Sequence, residues 1–111
     1  MATVANIDLV AEARRIAAEV DRLFTHLLQE PGDGRDRLFS AMAHAAIGGG
    51  KRVRPLLTVA ASRLFAIDEE RAIRAGTAVE AIHVYSLIHD DLPCMDDDDL
   101  RRGRATLHRA F

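Results

Sequence analysis

Six of the chain's 17 acidic residues, Asp90, Asp91, Asp96, Asp97, Asp98 and Asp99, fall within ten positions. Carboxylates packed that closely raise one another's pKa, so they stay ionised together only beside a cation. All-carboxylate donors select a hard ion. Mg2+ fits best, because it takes one or two carboxylates and fills its other positions with water and substrate phosphate oxygens. A solvated loop is the plainer alternative for any aspartate run. Here the run opens as Asp90-Asp91-Leu92-Pro93-Cys94-Met95-Asp96, after an apolar helical stretch and just before Arg101-Arg102-Gly103, which favours a metal site. An EF-hand is excluded, since its ligand spacing, central glycine and terminal glutamate are missing. Zinc would need Cys94 with His83, His89 or His108, and no cysteine pair or close histidine pair supports it.

A second constellation is Gly48-Gly49-Gly50-Lys51-Arg52-Val53-Arg54-Pro55. Consecutive glycines let backbone N–H groups turn towards an anion, a following helix N-terminus adds partial positive charge, and Lys51 and Arg54 add full charges. That describes a phosphate cradle, with a flexible basic turn as the alternative. It is not a P-loop, because Ala45 stands at the first glycine and Arg52 where Ser or Thr would bind magnesium. The net charge of −2 averages over these two regions, since the residues outside 90–99 carry 15 basic groups against 11 acids. An acidic centre flanked by basic segments repels a nucleic-acid backbone and suits a metal and an anion together.

Helices must position these groups. Leu9, Ala13, Ile16, Val20, Leu23, Phe24 and Leu27 recur at three- and four-residue steps, predicting an amphipathic helix from Asp8 to Gln29. Pro31-Gly32-Asp33-Gly34 ends it, and a second helix runs through Leu38, Phe39, Met42 and Ala46 to the triple glycine. Pro55 is expected to open a third helix, and Asp68 to cap a fourth that reaches His89 to Asp91. On that fourth helix His83, Leu87 and Asp90 share a face, so His83 and Asp90 can address one ligand. Pro93 breaks the helix, letting Asp96 fold back towards Asp90. No segment alternates apolar and polar residues with β-branched enrichment, which leaves an all-α chain.

At 111 residues, with 49% hydrophobic and 29% charged, one modest core is expected. No apolar run approaches the ~20 residues of a membrane span. Asp8 and Glu12 come early, without the basic start and apolar stretch of a secretory signal. The lone Cys94 excludes an intrachain disulfide and fits a reducing, cytoplasmic setting. Leu107 to Phe111 begins another helical pattern without a cap or stop, as if the chain were cut there.

Gly49 to Pro55, Ile82-His83-Val84-Tyr85-Ser86-Leu87-Ile88-His89-Asp90-Asp91-Leu92-Pro93, and Asp96 to Gly103 together resemble the trans-polyprenyl diphosphate synthases, most of all bacterial farnesyl diphosphate synthases. The resemblance implies the N-terminal helices of an isoprenoid-synthase-type bundle, with residues 1–111 as the front part of a single synthase domain. It implies a prenyltransferase that condenses isopentenyl diphosphate with an allylic diphosphate, dimethylallyl or geranyl, and makes farnesyl diphosphate. Asp90 and Asp96 match Mg2+ ligands, with Asp91 beside them. Lys51, Arg54, His83 and Arg102 match positions that bind the diphosphate of isopentenyl diphosphate, and Arg101 one that holds the allylic diphosphate. Asp90, Asp91, Asp96 and Arg101 are thus the catalytic set. Tyr85, with small Ser86 beside it, matches the region that limits product length. The complete enzyme is expected to be a homodimer. The family's second aspartate-rich motif does not occur in these residues, so the 111-residue chain alone is expected to be inactive. Alternatives are a geranylgeranyl diphosphate synthase, a terpene-cyclase-like Mg-diphosphate binder, or a non-catalytic helical module.

Overall fold

The structure is a computed structural model that describes residues 6–111, so the first residues of the stretch read above for a signal, 1–5, lie outside it. Four helices make the body: α1 (Leu9–Leu27), α2 (Asp36–Ala46), α3 (Val53–Arg63) and α4 (Glu69–Asp91). A hairpin of β1 (Leu100–Arg101) and β2 (Arg104–Ala105) follows, then a short α5 (Leu107–Ala110). None of the described helices is long and apolar enough to cross a membrane.

The expected helices form for the expected reasons. The Asp8 carboxylate accepts from the Ala11 N–H at 3.1 Å and caps α1, whose buried Ile16, Val20 and Phe24 recur every four residues. These meet Ala46, Val59, Ala72 and Ile73 in one core. The Asp36 carboxylate accepts the Gly32 and Asp33 N–H groups and shapes the turn before α2. Two boundaries differ in detail. The third helix starts at Val53, two residues before Pro55, and Asp68 occupies the cap position of α4 without a side-chain hydrogen bond to it. Pro55 is tolerated there because first-turn N–H groups have no intrahelical acceptor.

α3 and α4 pack closest where Pro55 lies over Gly76. A methyl at position 76 would come within 2.8 Å of the Pro55 Cα, so only glycine admits this approach. At the other end of this pair, Arg15 bonds Glu12 and Glu69, and Arg63 reaches the same two carboxylates, tying α1, α3 and the start of α4 together at the surface. Arg15, then Arg63, hold the Glu12 carboxyl down from 4.5 to about 2.

Two predictions follow from this packing. Gly76→Ala should destabilise the chain by about 1–3 kcal/mol through overpacking, read as a lower urea midpoint. Since the folded pKa of Glu12 is depressed, its contribution is present above about 4.5 and lost as pH falls through about 2. Melting temperature should therefore fall less steeply across that window in Glu12→Gln than in the unaltered chain.

Candidate functional site

The turn between α2 and α3 ends in Arg52, whose backbone is left-handed (φ 54°). That kink sends Arg52 inward, where it is 3% exposed, while Lys51 and Arg54 on either side stay at the surface. Lys51 and Arg54 line a groove of about 460 Å3 together with His83 from α4 and Arg102 from the hairpin. Three segments distant in sequence thus deliver four groups to one place. No carboxylate among the described residues forms an ion pair with Lys51, Arg54 or Arg102, and the one acid in the groove wall, Glu80, pairs with Arg52 instead. The first turn of α3 adds its unpaired N–H groups.

Arg102 arrives by a two-residue turn. Leu100 pairs with Ala105 and Arg101 with Arg104, and the residues between, Arg102 and Gly103, both have positive φ, 52° and 76°. That is the geometry whose twist suits a tight hairpin. The Arg102 guanidinium then lies against the glycine turn, so that a methyl on Gly50 would sit 2.9 Å from it. His44 and Arg104 hold the hairpin to α2: the ring Nε2 lies 2.9 Å from the Ala105 carbonyl oxygen, and Arg104 donates to the Ile47 carbonyl. This hairpin is absent from the all-α expectation, because two residues per strand are too few to show a period.

Downstream of Pro93 the chain does fold back. The Asp96 N–H donates to the Asp90 carbonyl at 2.8 Å, and Asp98 N–H to the Asp91 carbonyl at 3.1 Å, so the aspartate segment satisfies the last carbonyls of α4. The carboxylates then separate into two kinds. Asp91 is buried and takes both arms of the Arg101 guanidinium at 2.7 Å, which holds its carboxyl below the usual range. Asp97 and Asp99 pair with Arg109. Asp90, Asp96 and Asp98 are exposed and have no lysine or arginine partner among the described residues, Asp90 lying 3.7 Å from the His89 ring. The crowding of six aspartates is therefore relieved partly by arginines within the chain, where the sequence had called for an outside cation.

No group of three or more metal-ligating side chains converges among the described residues. The exposed carboxylates of Asp90 and Asp96, on hydrogen-bonded stretches of backbone and without a lysine or arginine partner, nevertheless fit Mg2+, which completes its shell with water and phosphate oxygens. His83 and Asp90 do not meet at one groove. Seven residues along a helix put them about 10 Å apart axially, and Asp90 is not part of the groove wall that His83 forms. A neighbouring cavity of about 300 Å3, which Asp91 and Arg101 line with Leu87 and Ile88, shares Gly50, Arg52, Glu80 and Arg102 with the groove. Tyr85 is 65% exposed, in an open apolar stripe with Val79 and Ile82, and borders neither space. Ser86 donates its hydroxyl to the His83 carbonyl at 2.6 Å.

The family model described as Polyprenyl synthetase matches residues 36–111. The chain belongs to the polyprenyl synthetase family. Among similar proteins, a farnesyl diphosphate synthase of Bacillus subtilis is 49% identical over 89 residues, covering 80% of this chain and 29% of that protein. Geranylgeranyl pyrophosphate synthase 4 of Arabidopsis thaliana is 57% identical over 74 residues, covering 67% and 20%. An FPP/GFPP synthase from Zymomonas mobilis, solved without ligand, superposes with a TM-score of 0.92 at 59% identity, over 94% of this chain and 37% of that one. This polyprenyl synthetase chain thus spans well under half the length of the relatives it matches.

Sequence reasoning missed Glu80 and Asp21, the partners of Arg52. The signal was there in Glu80, a lone acid among Thr77, Ala78, Val79, Ala81 and Ile82. Breaking the ion pair beneath the aspartate segment is the direct test of what holds Arg101. Asp91→Asn should cost about 1–3 kcal/mol, below the full value for a buried pair because Arg101 is partly solvated. The loss should appear in urea denaturation, with faster amide exchange across residues 100–105.

Proposed function

We propose that this chain forms the isopentenyl diphosphate groove and the first metal-binding segment of a prenyltransferase that condenses isopentenyl diphosphate with an allylic diphosphate. The observation that carries this reading is the convergence of Lys51, Arg54, His83 and Arg102 on one groove, whose one carboxylate, Glu80, is already paired with Arg52. A diphosphate needs several fixed donors and full positive charges, and guanidinium groups supply both in a fork that matches phosphate oxygens.

Residues 1–111 then act as the front part of one synthase domain, in a protein working in the cytoplasm as a homodimer. The Arg101 guanidinium, aimed by Asp91, serves the allylic diphosphate. Asp90 and Asp96 would hold Mg2+, which when bound neutralises charge on a departing diphosphate. Arg101 adds to that neutralisation from a position it already occupies, so little reorganisation is needed as the C–O bond breaks. Lys51, Arg54, His83 and Arg102 keep the second diphosphate still while its double bond meets the allylic carbon, trading two-body freedom for orientation. The stripe of Val79, Ile82 and Tyr85 offers the hydrocarbon a wall that excludes water, and the bulk of Tyr85 favours a farnesyl product over geranylgeranyl.

Calorimetric titration with isopentenyl diphosphate tests the groove on this chain. Lys51→Ala and Arg102→Ala should each weaken binding by about 10-fold or more, as expected for losing a charge-assisted bond. Unchanged affinity in both would remove the reading. With geranyl diphosphate and Mg2+ added, the isolated chain should yield no farnesyl diphosphate. In the longer synthetase, Tyr85→Ala should lengthen the product, as read by chromatography of the dephosphorylated alcohols.

A further inference from the structure

The buried pair of Arg52 and Glu80 belongs to no role assigned above, although it lies between the groove and the second cavity and borders both. Arg52 donates to the Glu80 carboxylate at 3.2 Å and to Asp21 at 2.9 Å, bonds the Ala46 carbonyl, and lies 5.4 Å from the centre of the Phe24 ring. Both Arg52 and Glu80 are 3% exposed. The Nε of Arg52 and the Oε2 of Glu80 nonetheless have no hydrogen-bond partner. Buried ion pairs contribute little net stability compared with well-packed apolar side chains, and leaving such atoms unmatched lowers the contribution further. Fixing geometry is the use for which such networks are best suited.

We propose that Arg52 and Glu80 are the positioning pair of the diphosphate groove; this rests on the diphosphate reading of that groove and deepens it. The left-handed backbone at Arg52 lies between Lys51 and Arg54 and sets how they leave the turn, and a non-glycine residue keeps that strained conformation where the surrounding structure holds it. Glu80 supplies the hold. It stands one turn before His83 on α4, so the same contact sets the height and rotation of His83 relative to Lys51 and Arg54. Neither residue of the pair needs to touch the diphosphate for this. Their part is to fix where three of its four ligands stand.

The test is titration of the chain with inorganic pyrophosphate, at a temperature where circular dichroism shows each variant folded. Glu80→Gln keeps the shape and removes the charge, and Arg52→Lys keeps the charge and removes the fork. Each should weaken pyrophosphate at least about fivefold, since a lysine or an amide cannot hold the same set of partners. Val59→Ala, a core truncation away from the groove, lowers the urea midpoint but should leave affinity within about twofold, separating position from stability. Equal weakening in Val59→Ala, or unchanged affinity in folded Glu80→Gln, overturns the role. Should both pair variants fail to fold, Asp21→Asn loosens Arg52 from its 37%-exposed partner, and unchanged affinity there overturns the role as well. Failure of the unaltered chain to bind pyrophosphate, or full binding by Lys51→Ala, defeats the diphosphate reading itself and the pair's role with it.

Discussion

Four helices meet at one buried guanidinium. Arg52 is the cap of α3, touches Asp21 and Phe24 of α1, bonds the last carbonyl of α2 and pairs with Glu80 of α4. A charge so far from water is tolerated only when surrounded by acceptors, so each of these helices must arrive in its place for the others to be comfortable. The apolar core of Ile16, Val20, Phe24, Val59 and Ile73 makes the helices associate, but it is non-directional. Arg52 adds direction, and it does so at the point where the chain leaves the glycine turn for the surface of the groove.

Charge in the rest of the molecule follows from that arrangement. Several arginines are held by carboxylates: Arg15 and Arg63 by Glu12 and Glu69, Arg101 by Asp91, Arg109 by Asp97 and Asp99. Among the cations without a carboxylate partner, Lys51, Arg54 and Arg102 collect at the groove beside Arg52. The cluster's aspartates left without an arginine, Asp90, Asp96 and Asp98, sit at and just past the end of α4. Unsatisfied charges of opposite sign are thus held apart by the fold, which is what the proposed metal and diphosphate sites require if the protein is not to neutralise itself first.

Much of this was legible in the sequence because helical period and local breakers act over short distances. The limits of α1 and α2, the end of α4 before Pro93, and the return of Asp96 towards Asp90 all follow from residues within a few positions of one another. Arg52 was not legible. It sits in a basic run that looks uniformly solvated, and only a left-handed residue, which no composition announces, turns it inward. Glu80 was hidden for the complementary reason, since its partner lies 28 residues away. The hairpin escaped because its strands hold two residues each, although an Arg-Gly pair between them is a tight-turn signal once the strands are known. Placing His83 and Asp90 on one face was correct for the angle around the helix and insufficient for the distance along it.

The same hairpin puts two adjacent arginines to opposite uses. Arg101 is the last residue of a strand and faces Asp91, while Arg102 is the first of the turn and faces Gly49 and Gly50. Arg102 leaves the extended backbone at the left-handed first position of the turn, so where this turn falls in the sequence decides which arginine points which way. Inserting one uncharged residue between Asp99 and Arg101 would leave every charge in place, yet would move both arginines out of register with the partners they now face.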